Sequence, residues 1–269
     1  MVLHDIINEA CDNRNLLKVI IGIDNFNLLK SIPTIKAAEI GEASYVDIAA
    51  NIDFVVTLKS LLTIPVCVSS ICIRELEACY LAGADILEIG NFDVFYRKNI
   101  YLTPRQIFNM SRELKLRLPH VPLCVTIPHN LNFHNQLVLG RNLQDIGVDM
   151  VQTEGVSSKL IDVSNVSQAL KYASATLCST SVLSNMLKIP VMSSSGITPL
   201  TAPIAISCGA SGIGMGSFFN TNQSALDLSK EVSEIMYSLK KKTDPSIHCL
   251  HNYELAKDSR SILSDLYVL

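Results

Sequence analysis

Short apolar runs recur along the chain with too little polar alternation for strands that face water on one side, so they read as strands buried on both faces. Three of them are entered through proline: IPVCVSS from Ile64, VPLCVTIP from Val121 and IPVMSSSG from Ile189. Proline is tolerated at a strand's first residue. A second series interleaves with these: GEASYVDIAA from Gly41, GADILEIGN from Gly83, GVDMVQTEG from Gly147 and GASGIGMGS from Gly209. In each, a glycine suited to end a helix in the left-handed conformation precedes a buried strand. With LLKVIIGIDN as the opening strand, the predicted strands lie near 17–25, 45–50, 64–70, 84–91, 121–128, 148–154, 189–196 and 211–217.

Amphipathic segments fill the intervals, at 27–40, 51–62, 73–82, 103–117, 133–146, 165–187, 199–208 and 222–241. Thr103-Pro104 and Thr198-Pro199 place a capping hydroxyl before proline, a helix-start signal. Eight strands alternating with eight helices predict an α/β fold, a (β/α)8 TIM barrel in one domain over 1–269. An open doubly wound sheet is the weaker alternative, because no dinucleotide fingerprint is present. The stretch after Lys242 is expected to add a turn and a short C-terminal helix.

Composition sharpens this picture. Apolar residues make up 48 % of the 269 positions, and mean hydropathy is +0.31. Yet no apolar run reaches the roughly 20 residues that would span a bilayer, so no membrane segment is expected. A net charge of −3 gives no field that would favour nucleic acid. The one basic cluster, Lys240 to Lys242, sits where cations suit a helix C-terminus. The eight cysteines form no CxxC pair, which points to a reducing compartment rather than a disulfide frame or zinc site. Cys72 is expected to pack at a helix start. The N-terminal stretch MVLHDIINEACDNRN has neither an apolar secretory core nor an Arg/Ser-rich transit pattern, so no targeting segment is expected.

The richest chemistry lies in IPVMSSSGITPL…GASGIGMGSFFN. In a barrel of this order, phosphate often sits between the loops after strands seven and eight. Ser194, Ser195 and Gly196 end strand seven, and Gly216 and Ser217 end strand eight. Glycines let backbone N–H groups approach an anion, hydroxyls add donors, and a short helix after Ser217 would add its positive end. Gly212 and Gly214 read as packing devices within the strand.

The segments YVDIAA (45–50), PVCVSS (65–70), GADILEIGNFD (83–93), CVTIPHNL (124–131), DMVQTEG (149–155) and MSSSGIT (192–198) are similar to those of a known family. The chain resembles the plastid and cyanobacterial "hypothetical chloroplast reading frame twenty-three" proteins almost from end to end. The resemblance implies an aldolase-type barrel and a plastid-encoded protein of the chloroplast stroma. It brings no established reaction and no catalytic residues.

Reactive groups are then sought at the other strand ends: Asp24, Asn51, Ser69, Ser70, Glu88, Asn91, Asp93, Thr126, His129, Gln152 and Glu154. Asp47 and Glu88 lie inside apolar strands, where a carboxylate is costly unless paired. Candidate catalytic groups are Glu88, His129, Glu154 and Asp24; the competing roles are a loop histidine bonded to neighbouring backbone for His129, helix capping or ion pairing for Glu154, and helix capping for Asp24. Lys18 reads as preceding the core of the first strand, so no strand-end lysine is available for Schiff-base chemistry. No metal motif is present. A phosphorylated small molecule is the expected partner, with FMN a second ligand that the same anchor would hold. Three functions follow: a lyase or isomerase on a phosphosugar-like compound, an FMN oxidoreductase, or a non-catalytic metabolite sensor. A homo-oligomer stays open.

Overall fold

The computed structural model describes residues 5–155, 165–219 and 224–242. Eight parallel strands close into a barrel in sequence order: β1 (Leu16–Gly22), β2 (Tyr45–Ala49), β3 (Val66–Ser69), β4 (Ile86–Ile89), β5 (Leu123–Ile127), β6 (Met150–Thr153), β7 (Val191–Ser194) and β8 (Gly212–Met215). Closure comes from β1 pairing with β8, with Leu16 opposite Gly212 and Val19 opposite Met215. Each strand stops short of its predicted C-terminal end, so the polar residues there lie in loops at the barrel mouth.

Ten helices surround the sheet among the described residues: α1 (Asp5–Asp12), α2 (Leu28–Ile40), α3 (Ile52–Leu61), α4 (Ile73–Leu81), α5 (Asp93–Tyr96), α6 (Pro104–Arg117), α7 (Phe133–Asp145), α8 (Val166–Met186), α9 (Ala202–Ser207) and α10 (Ala225–Lys242). Eight of these are the helices expected between strands. Thr103 caps α6 through a full capping box with Gln106. The start expected at Thr198-Pro199 shifts: those residues form a turn, and α9 begins at Ala202 with Pro203 in its first turn. The predicted C-terminal helix beyond Lys242 lies outside the described residues.

Strand alternation divides the core into two shells. Outward residues such as Val19, Val46, Val68, Leu87, Val125 and Val151 pack beneath the helices. Inward residues Leu16, Tyr45, Cys67, Ile86, Cys124, Met150 and Met192 fill the lower barrel. The N-terminal stretch, for which no helix was expected, forms α1 and plugs that end: Ile7 and Cys11 are buried against the same inward cluster.

Gly83, Gly147 and Gly209 adopt the positive φ expected of helix-ending glycines. Gly41 does not, since its φ is −80° and Glu42 takes the left-handed conformation instead. Its requirement is close packing: a Cβ there would lie 2.5 Å from Val232 Cβ and 2.8 Å from the Ser229 carbonyl oxygen on α10.

Candidate functional site

Above the apolar plug the barrel axis is polar. Lys18, the third residue of β1, points inward and is fully buried. This corrects the expectation that it precedes the strand core. Its ammonium donates to Glu88 Oε2 at 2.5 Å and Gln152 Oε1 at 3.0 Å, and lies 3.1 Å from Asp47 Oδ2. Asp47 also accepts from Ser69 (2.6 Å) and from Asn91 Nδ2 (3.0 Å). Glu88 Oε1 accepts from Gln152 Nε2 (2.9 Å) and Thr126 (3.1 Å). Room for this network depends on Gly90, because a Cβ there would collide with Thr126 Oγ1 and come within 2.6 Å of Glu88 Oε1.

Burial alone would lower the Lys18 amine, but Asp47 and Glu88 outweigh it and hold the amine above its ordinary range. Burial pushes the Glu88 carboxyl up, with Lys18 opposing that change and Asp47 reinforcing it. One ammonium faces two carboxylates here, so the neighbouring Asp47 charge adds to the upward pull on Glu88 while the Lys18 ion pair opposes it.

Over this network opens a cavity of about 220 Å³ at the C-terminal mouth. Its floor includes Asn91, Thr126 and Gln152; its walls include Asp24, Asp93, Glu154, Ser194, Ser195, Gly196, Gly216 and Ser217. Asp24, Glu154 and the five strand-seven and strand-eight residues therefore share one cavity. Glu88 does not line it, lying one layer below and touching it through Thr126 and Gln152.

Glu154 follows β6 directly and is 5 % exposed. Its Oε2 accepts from Tyr96 Oη at 2.6 Å and from the His129 backbone N–H at 3.3 Å, with His129 Nδ1 at 3.0 Å. Tyr96 stacks on Tyr101 and meets the His129 ring edge-on. Burial, reinforced by the Glu154 carboxylate, pushes the Tyr96 phenol up and keeps it a donor. The other carboxylate oxygen, Oε1, is buried and has no hydrogen-bond partner. His129 thus contacts Glu154 and is not among the residues that line the cavity. Asp24 is exposed at the rim, and the capping role weighed for it belongs to Asn27, whose side chain accepts from Lys30 N.

The strand-seven hydroxyls are already engaged. Ser194 donates to the Gly214 carbonyl and Ser195 to that of Gly155, each at 3.2 Å. Ser195 and Gly196 both have positive φ, and a Cβ on Gly196 would lie 2.7 Å from the Tyr172 carbonyl oxygen. Gly216 packs on β1, 3.1 Å from the Ile20 carbonyl oxygen by the same measure. Ser217, by contrast, is exposed and opens a one-turn 3-10 helix, Ser217–Phe219.

Lys18 and Tyr96 are the residues that sequence reasoning missed. The signal for Lys18 was available: it interrupts an apolar strand just as Asp47 and Glu88 do. Tyr96 carries no local mark, since its role depends on the one-turn helix α5 bringing it to Glu154. Cys72, expected to pack, is instead exposed at the start of α4. Among the described residues no three His, Cys, Asp or Glu side chains converge as a metal site, and no helix is long and apolar enough to cross a membrane. A second cavity, about 240 Å³ and lined by Arg14 and Lys188 among others, lies at the opposite end of the barrel.

Residues 3–244 match the family described as "Protein of unknown function (DUF561)". The chain belongs to that family. Relatives include the "Uncharacterized protein ycf23" of Porphyra purpurea, 35 % identical over 98 % of this chain and 99 % of that protein. Its namesake in Antithamnion sp. is 40 % identical over 85 % of this chain and 86 % of its own. Among solved structures, an aldolase, QR15, superposes with a TM-score of 0.58 at 18 % identity, covering 81 % of this chain and 96 % of its own. (S)-3-O-geranylgeranylglyceryl phosphate synthase from Thermoplasma acidophilum, in complex with sn-glycerol-1-phosphate, gives 0.58 at 12 % identity, covering 89 % and 100 %. The family resemblance read from the sequence and the aldolase-type barrel are both shown; these structures speak for the fold alone.

Proposed function

We propose that this DUF561 member binds a phosphorylated small molecule at the C-terminal mouth and exchanges a proton with it through Glu154, in a lyase- or isomerase-type reaction. One observation carries the reading: the ends of β7 and β8 share a single cavity with the buried Glu154, whose Oε1 has no hydrogen-bond partner. Tyr96 and the His129 backbone hold the other oxygen, so the free one is fixed in place. A positioned carboxylate of this kind is what proton transfer requires. The strand-seven and strand-eight ends are where barrels commonly hold phosphate, and a structural neighbour is in complex with a glycerol phosphate. Anchoring the phosphate there would orient the reacting carbon toward Glu154.

FMN fits less well. Among the described residues the cavity of about 220 Å³ has no aromatic residue in its lining, whereas pockets for drug-sized ligands measure roughly 300–1,000 Å³. A stromal setting in the plastid belongs to the same reading and fits the ycf23 name of the relatives.

A thermal-shift titration with glycerol 1-phosphate tests this proposal. At 100 times its dissociation constant a ligand adds about 2.7 kcal/mol, or roughly 5–10 °C at this chain length. Ser217→Asp places a carboxylate at the anion end on an exposed position and should abolish the shift without unfolding the barrel. Gly216 is the wrong site for this control, because any side chain there meets β1. No shift with any phosphorylated small molecule would refute the proposal. A shift unchanged by Glu154→Gln, together with unaltered turnover, would leave binding and remove the proton-transfer role.

A further inference from the structure

We infer that Ile20 limits the size of the ligand at this mouth, so that the cavity admits a short phosphate ester and excludes a ring-form sugar phosphate. The inference rests on the phosphate reading above and narrows its ligand class. It comes from the way β1 and β8 share the barrel interior. Gly212 and Gly214 of β8 stand opposite Leu16 and Lys18 of β1, whose side chains point inward. With Gly216 just beyond the strand, β8 offers bare backbone at three alternate positions. Side chains of the neighbouring strands lean over it. A Cβ on Gly212 would lie 2.6 Å from Leu16 Cβ. One on Gly214 would lie 2.8 Å from Ser194 Oγ and 3.2 Å from Ile20 Cδ1, and one on Gly216 would lie 3.2 Å from Ile20 Cβ.

The two leaning residues of β1 differ in what lies above them. Leu16 is fully buried in the apolar plug. Ile20 is partly exposed and lines the mouth cavity together with Gly214 and Gly216. The cavity therefore has two unlike sides. Asn91, Thr126 and Gln152 make one side polar, and Ile20, lying along the glycine backbone, makes the other apolar. Because Ile20 packs against Gly214 and Gly216, a phosphate held at the ends of β7 and β8 places its first ester carbons beside the Ile20 side chain. Hydrocarbon then meets hydrocarbon. A sugar ring at the same place brings more bulk and turns hydroxyls against methyl groups, which offer them no hydrogen bond. Close packing leaves little slack for the extra atoms, and a single methylene in an apolar pocket discriminates by roughly 10- to 200-fold.

Calorimetric titrations of the full chain test this by comparing glycerol 1-phosphate with ribose 5-phosphate, which carries the same phosphate ester on a furanose ring. The wild type should prefer glycerol 1-phosphate by about tenfold or more. Ile20→Ala should cut that preference by about tenfold or more, and Ile20→Val, which removes one methyl group and keeps the branch at Cβ, by about two- to threefold. A purely structural role for Ile20 would weaken both probes together and leave their ratio unchanged, so the ratio is the readout. Thermal unfolding identifies a variant that fails to fold; if Ile20→Ala does, the ratio in Ile20→Val decides.

Equal affinity of the two probes in the wild type, or a ratio that neither substitution moves, would overturn the size limit and leave the phosphate reading standing. Binding of neither probe to the wild type or to either variant would overturn the size limit and the phosphate reading together.

Discussion

Two groups of carboxylates sit one above the other along the barrel axis and behave in opposite ways. In the lower group, Asp47 and Glu88 are fully enclosed and every oxygen is engaged, by Lys18, Ser69, Asn91, Thr126 or Gln152. In the upper group, Glu154 is nearly as buried, yet one of its oxygens meets no donor. Burial does not separate the two; satisfaction does. A completed network holds strands together in a defined arrangement, whereas an incomplete one in a cavity marks where something else binds.

That contrast is open to mutation. Lys18→Met would strand two carboxylates in the dry interior, and removal of one partner of a buried ion pair costs about 3–5 kcal/mol. Denaturant unfolding should show a loss of that size; a loss under ~1 kcal/mol would mean that water or rearrangement already relieves the cluster. Gly90→Ala drives a methyl group into Thr126 and Glu88, and overpacking of this kind costs about 1–3 kcal/mol. The same measurement checks it.

A pH series isolates the Lys18 charge. Burial alone would lower this amine, but Asp47 and Glu88 hold it above its ordinary value of 10.5. Because the folded-state value is the higher one, the stabilisation is fully present below pH 10.5 and is lost as pH rises beyond it. The stability gap between wild type and Lys18→Met should therefore narrow in alkaline solution, by about 1.4 kcal/mol for each pH unit climbed between the unfolded and folded values. A gap that stays constant to about pH 12 would contradict this. The smallest effect is expected at Glu154→Gln. The amide oxygen of the glutamine can still accept from Tyr96 in that variant, and stability should change by less than ~1 kcal/mol. A loss comparable to that of Lys18→Met would place Glu154 in the structural network and erase the distinction.

The barrel was legible because both of its signals are local. Proline-entered runs such as IPVMSSSG and the glycines at 83, 147 and 209 mark element boundaries without reference to distant residues. Glu154 and the residues ending β7 and β8 were legible for the same reason, since strand ends in this architecture converge on one mouth. Partnership was not. Nothing near Lys18 in the sequence shows that its ammonium lies between Asp47 and Glu88, which are contributed by other strands. Nor does GNFDVFY show Tyr96 turning to Glu154. Gly41 makes the same point for packing: it looks like a helix cap, and only the approach of α10 from a distant part of the chain explains it.

Hydrogen exchange with and without saturating glycerol 1-phosphate tests most directly whether the C-terminal mouth is the ligand site. Added protection should be confined to the strand ends around 150–155, 193–197 and 214–219, with the plugged face of α1 unchanged. Protection around Arg14 and Lys188 instead, where the second cavity presents two cations to the opposite end of the barrel, would contradict it.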